Sequence, residues 1–228
     1  MNRFVFWGLW LGFVLYAFIL APPDRPDTAD LILRLSTGAW DGINPAVVAL
    51  FNAMGLWPMV YAAVALGESH DQRRRAWPFV VGSFAVGAFA LLPYLALRTP
   101  NLGPTGLGSN DNGAPPSRLL RLLESRWLGA VLAAGAIALA IFALTQGDWP
   151  DFWQQWQTSR FIHVMTLDFC ALWLLFPTLL KDDMARRGLK TPGVIAAVLA
   201  LPLVGACLYL ALRPALVDHP AAGEVGVG

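Results

Sequence analysis

The chain has 228 residues, is 57% hydrophobic and 14% charged, and carries a formal net charge of +1. That length fits one compact domain, and the near-neutral charge argues against nucleic acid as a partner, because phosphate binding needs a concentrated basic face. Two cysteines, Cys170 and Cys207, occur without Cys-x-x-Cys spacing. A disulfide framework, a zinc ribbon and c-type haem attachment are therefore unsupported, and both thiols read as small core side chains.

Six stretches are apolar over about 20 residues, the length a helix needs to cross a bilayer. They are Arg3–Ala21, Pro45–Leu66, Trp77–Leu97, Trp127–Leu144, Phe161–Leu180 and Gly193–Leu212. Period-2 alternation is absent, so helices rather than barrel strands are predicted. The first stretch resembles a signal peptide, but Pro22 and Pro23 disfavour cleavage there and Trp7 and Trp10 make it bulky. It reads as a retained first span.

Between Pro22 and Asn44 a short surface helix is expected. It starts at Asp27-Thr28, sets Leu31, Ile32 and Leu35 against Asp30 and Arg34, and stops at Gly38. Span two holds Asn52, Gly55, Trp57, Pro58 and Tyr61. Arg73-Arg74-Arg75 follows as a topology anchor. Span three holds Gly82, Ser83, Gly87, Pro93 and Tyr94. Kinks are expected at Pro58 and Pro93, where each ring removes a helical hydrogen bond.

The segment from Thr99 to Pro116 is rich in Asn, Gly, Pro and Ser and reads as flexible. Its Gly106–Asn110 run follows no strand and opens no helix, so it is a plain loop rather than a phosphate cradle. Ser117 then caps an amphipathic elbow of Leu119, Leu120, Leu122 and Leu123 against Arg118, Arg121 and Glu124. Span four places Ala130, Ala134 and Ala138 on one face, which predicts a tightly packed central helix.

After it, Trp149, Phe152, Trp153 and Trp156 alternate with Asp148, Asp151, Gln154 and Gln155. This is the pattern of a second interfacial helix, or of a surface that stacks pigment or lipid. No internal repeat of the inverted-transporter kind stands out. The fold expected is an all-α polytopic bundle of about six spans with one or two interfacial helices, one domain over residues 1–212, and a flexible tail over 213–228. Orientation stays open. The larger basic group, Arg98 to Lys190, and the first span's flanks point opposite ways, and a re-entrant or interfacial segment would reconcile them by changing the span count.

Asp168 is the only acid well inside any predicted span. A charge at that depth costs on the order of 3 kcal/mol, so it faces the bundle interior. It is either a functional acid or an anchor bonded to a group such as Asn52, Tyr61 or Tyr94. His163 sits about 140° around the same helix, too far round for a His–Asp dyad. It reads as an interfacial side chain, an axial ligand or a proton-handling group. His70 and His219 fall in a loop and the tail, so a bis-histidine haem is weak. Asp182 and Asp183 are expected to pair at i,i+4 with Arg186 and Arg187 in a solvated turn. A metal-holding diphosphate site would need a second acidic motif, which is missing. No catalytic or metal-ligating set emerges.

The stretch Ser159–Gly188, SRFIHVMTLDFCALWLLFPTLLKDDMARRG, and the stretch Phe51–Ala63, FNAMGLWPMVYAA, carry a resemblance. They are similar to an uncharacterised family of cyanobacterial and plastid integral membrane proteins, through a His and a Thr-Leu-Asp early in one span and an acidic-Met-basic turn after it. The resemblance implies a photosynthetic membrane, thylakoid or inner plastid-type, with no settled activity, and the localisation expected is a thylakoid or bacterial inner membrane. It marks His163, Asp168, Asp183, Arg186, Arg187, Asn52 and Pro58. The expected role is non-enzymatic support of membrane complexes or their pigments, chlorophyll or carotenoid. His163, Asp168, Asn52, Tyr61, Trp153 and Trp156 are the ligand or pigment candidates. The alternatives are a small coupled transporter working through Asp168 and an isoprenoid-lipid enzyme using Asp182 and Asp183.

Overall fold

The computed structural model describes residues 3–68, 76–99, 118–189 and 192–214. Every element among them is helical. Four helices are long and apolar enough to cross a membrane. The first, α1 (Arg3–Leu15), continues as a π-helical turn from Tyr16 to Leu20; the others are α3 (Pro45–Glu68), α7 (Arg126–Gln146) and α9 (Arg160–Arg186). Arg73–Arg75, the Gly106–Asn110 loop, the Ser117 cap, His70, His219 and the tail after Pro214 lie outside the described residues.

Two of the six predicted spans are not single helices. Over the third, α4 (Trp77–Val86) and α5 (Ala88–Leu97) meet at Gly87. In one straight helix Gly82 and Ala90 would be about 12 Å apart. Here a Cβ built on Gly82 would lie 3.3 Å from the Ala90 Cβ, and the Phe79 and Tyr94 rings sit 5.8 Å apart. The two short helices therefore fold back on each other. Gly87 makes the reversal, with φ 51° and ψ −125°, a conformation open to glycine and strained for other residues. The break falls here rather than at Pro93, which α5 carries within its length.

The sixth predicted span does the same. It comprises α10 (Pro192–Ala200) and α11 (Val204–Leu212). A Cβ on Gly205 would lie 2.7 Å from the Val198 Cα, so the two helices cross closely just past the turn. Leu203 in that turn holds φ at 61°, the single positive value at a non-glycine residue among those described.

The two long helices α3 and α9 meet at the centre. Trp57 and Tyr61 of the first pack against Phe169 and Phe176 of the second. The predicted centre, α7, is peripheral instead. Ala130, Ala134 and Ala138 face outward, and Gly129, Ala133 and Ala136 face inward. The inward stripe wins because Gly129 leaves room for the α11 backbone. A Cβ there would come 2.4 Å from the Ala211 nitrogen.

Both expected surface helices form at one end. The first, α2 (Thr28–Thr37), stops at Gly38 with φ 81° and buries Leu35. The second, α8 (Trp149–Thr158), is capped by the Asp148 carboxylate on the Asp151 N–H. This aromatic end also holds the exit of α1 and the start of α9. At the opposite, arginine end, α3 and α9 finish, and both folded-back pairs begin and end. There α6 (Arg118–Leu123) turns into α7, whose first N–H groups are met by Ser125.

Candidate functional site

Asp168 lies on the inner face of α9, 6% exposed. Its Oδ1 accepts the Ala88 N–H at 2.7 Å. That donor is one of the orphan N–H groups that a new helix start always leaves. A carboxylate there also meets the positive end of the α5 dipole. The space is made by the missing side chain of Gly87: a Cβ would fall 1.8 Å from Oδ2. The expected partners are elsewhere. Asn52 turns its amide to the Val48 carbonyl on its own helix, and Tyr61 donates across the core to the Leu172 carbonyl at 2.7 Å. None of the described cavities is lined by Asp168.

His163 is buried in a ladder of rings at the aromatic end. Trp153 stacks on Trp156 at 4.7 Å, Trp156 on His163 at 4.3 Å, and Tyr16 follows at 5.8 Å. Nδ1 lies 2.9 Å from the Trp156 carbonyl oxygen. A carbonyl can only accept, so Nδ1 carries the proton. Nε2, in the neutral ring, then accepts from the Tyr16 hydroxyl at 2.7 Å. Both nitrogens are thus engaged, and an axial metal–pigment bond would have to displace one of them. As expected, His163 and Asp168 do not meet. Tyr16 begins the π-helical turn, so the irregular backbone of α1 places this hydroxyl.

The acidic last turn of α9 keeps one expected i,i+4 pair, Asp183 with Arg187, but is buried rather than solvated. Asp183 is fully buried, and Arg186 is 5% exposed. Asp183 accepts from Arg186 at 3.0 Å, from Arg187 at 2.9 Å, from Arg213 at 3.2 Å and from the Tyr209 hydroxyl at 2.7 Å. Glu124 on the other side pairs with Arg187 and Arg213. Asp182 turns away to Arg98 instead of Arg186. Burial works against the Arg187 charge, but the Asp183 and Glu124 carboxylates outweigh it and raise its pKa above the ordinary value. The turn is dry because the end of α11 and the α6–α7 elbow close over it. Sequence spacing on α9 alone could find Arg186 and Arg187, but not Arg98, Arg213, Glu124 or Tyr209, which come from other elements. Asp182 and Asp183 face different guanidiniums, which does not suit joint chelation of one ion. Among the described residues no group of three or more His, Cys, Asp or Glu forms.

None of the described cavities is lined by Asp168, His163 or Asp183, although one of about 430 Å³ borders the end of α9 at Lys181, Met184, Ala185 and Gly188. One of about 350 Å³ opens at the aromatic end between α2 and α8, with Arg34, Asn44, Asp151 and Gln155 in its wall. Another of about 270 Å³ lies beside the Pro202–Val204 turn and is lined by Ala46, Ala49, Ala53 and Phe169.

No family model matches the chain, and no curated protein or solved structure matches it either.

Proposed function

We propose that the chain is a non-enzymatic integral membrane protein that supports the assembly of membrane complexes or the association of their pigments, in a bacterial inner or thylakoid-type membrane. Its path would be four crossings, α1, α3, α7 and α9, plus two re-entrant hairpins in place of the third and sixth spans. The outward apolar faces of α1 and α7, with Phe18, Leu20, Trp127 and Leu144 exposed, suit lipid. Irregular backbone at membrane depth is tolerated where protein buries it, which suits the two hairpin turns.

The hairpins also bear on the orientation conflict. With both returning to the arginine end, Arg3, Arg98, Arg118, Arg121, Arg126, Lys181, Arg186, Arg187 and Arg213 gather there, against Arg25, Arg34 and Arg160 at the other. By the excess of basic residues on the inner side, the arginine end and both termini would be cytoplasmic, or stromal in a plastid.

The observation that carries the supporting role is the closure around Asp168. Its carboxylate is capped by a backbone N–H and fitted against Gly87, as a lock between α9 and the first hairpin requires. Trp149 and Trp153, about half exposed, offer ring surface to a partner or pigment at the aromatic end. Purification from the native membrane, read for pigments and co-migrating complexes, tests this. Loss of one complex on gene deletion, restored by both wild type and Asp168→Asn, supports it. Unchanged complexes and pigments in the deletion strain overturn it.

A second reading, coupled transport, is favoured by the broken helices, since transporters bind substrate at such breaks. Vesicle flux driven by a proton or sodium gradient, and lost in Asp168→Asn, would establish that reading instead.

A further inference from the structure

Tyr94-Leu95-Ala96-Leu97-Arg98 recurs as Tyr209-Leu210-Ala211-Leu212-Arg213, an offset of 115 residues. The same offset separates the starts of α3 and α9, Pro45 and Arg160, and those of α4 and α10, Trp77 and Pro192. Apart from the short α6 that precedes α7, each half reads as the same series: a long apolar helix, a ten-residue surface helix, a second long helix and a folded-back pair. Packing repeats in part, although the broad contact of α3 with α7 has no comparable counterpart between α9 and α1. The first long helix of each half lies against the last short one, α1 on α5 and α7 on α11. Each last short helix also touches the other half's central helix, α5 on α9 and α11 on α3.

Side chains follow the same rule. Arg98 donates to the Thr178 carbonyl at 3.3 Å, and Arg213 to the Ala63 carbonyl at 3.2 Å. Residues 63 and 178 are again 115 apart. Tyr61 and Phe176 are likewise equivalent by number, and their rings touch each other at 5.7 Å. Equivalent positions in mutual contact lie where a two-fold axis relating the halves would pass. Both hairpins open to the same end, so the axis runs along the bundle rather than across it. That distinguishes a parallel duplication from an inverted one.

We propose that the chain is two tandem copies of one membrane module, docked about a two-fold axis along the membrane normal, so that the surface formed by α3 and its counterpart α9 is built to take a second copy of the same module. The proposal rests on the membrane reading only for the direction of the axis. Outside the Tyr-Leu-Ala-Leu-Arg match the two halves differ at nearly every position of this offset, and one of those differences bears on the hairpin turns. Asp168 of the second copy corresponds to Ala53 of the first. The first hairpin turn is capped by that carboxylate. The second turn, at Pro202–Val204, faces Ala53 across the 270 Å³ apolar cavity. The locking acid thus serves one hairpin alone.

Spin-label pairs in the full-length chain test the symmetry in detergent, without regard to any activity. With Cys170 and Cys207 replaced by alanine, labels at Val86 and Pro192 form one pair, and labels at Leu201 and Trp77 form its equivalent. All four sites are exposed. Coincident distance distributions support the two-fold, and clearly different ones overturn it. A permuted chain gives an independent check. It places residues 118–214 before residues 3–99 and joins them by a Gly/Ser linker as long as the native connection. The axis makes that junction geometrically equivalent to the native one, so the permutant should show the same distances and unfolding midpoint. A permutant that folds with altered distances also overturns the proposal, and if none is obtained the native-order distances decide.

Discussion

Gly87 and Asp168 fit each other as backbone to carboxylate. The glycine leaves the space that Oδ2 fills, and the next residue, Ala88, gives its N–H to Oδ1. Gly87 has no room for a side chain while the Asp168 carboxylate is in place. Gly87→Ala adds a methyl group within 1.8 Å of the carboxylate oxygen and places a non-glycine residue at φ 51°. Strain and clash together should cost at least about 3 kcal/mol. Thermal unfolding in detergent should show a large fall in midpoint for this variant; a neutral result would mean the hairpin turn is not closed as described.

The carboxylate itself should matter mainly as an acceptor. Asp168→Ala strands a buried N–H, at a cost of about 1–3 kcal/mol. Asp168→Asn keeps an oxygen in reach of Ala88 and should be milder. Equal losses in the two variants, read by the same unfolding assay, would contradict that ordering.

At the arginine end, Asp183 holds three guanidiniums together. Asp183→Ala leaves them buried and facing one another, which should cost about 3–5 kcal/mol. Tyr209→Phe removes one neutral donor and should cost about 1 kcal/mol. Denaturant midpoints for the two variants should differ clearly and in that order.

The contact of α7 with α11 rests on the absence of a side chain at Gly129. Gly129→Leu should push α11 outward, since backbone atoms of Leu210 and Ala211 fill the site. Overpacking of this kind costs about 1–3 kcal/mol or more. A cysteine cross-link scan between the two helices should lose its close pairs in that variant.

In the ring ladder, Tyr16→Phe deprives His163 Nε2 of its donor, and His163→Phe deprives Tyr16 of its acceptor. A double-mutant cycle should give a coupling of about 1 kcal/mol between them. Additive effects would show that the 2.7 Å contact carries no interaction energy.

Several of these elements are legible in the residues themselves. The α2 surface helix ends at Gly38 because glycine accepts a left-handed backbone, and α8 begins at Asp148 because a short acceptor meets orphan N–H groups. Both are local effects within one turn of chain. The geometric separation of His163 from Asp168 follows from helical periodicity alone. Gly87 is visible as a residue, but proline-based reasoning predicts only a kink at Pro93, since both residues can interrupt a helix and nothing local decides which one reverses the chain.

By itself the amino-acid sequence determined that this chain is helical and apolar over membrane-length stretches, because hydrophobic run length and periodicity are properties of single segments. It also singled out Asp168 as the acid needing an explanation, because burying a charge is costly wherever it occurs. Only the tertiary structure decided that two of the apolar runs double back, that Asp168 caps α5, and that the Asp183 turn is dry. Those outcomes depend on which backbone groups are left unsatisfied and on which distant side chains arrive to meet them, and that pairing is settled only when the helices pack.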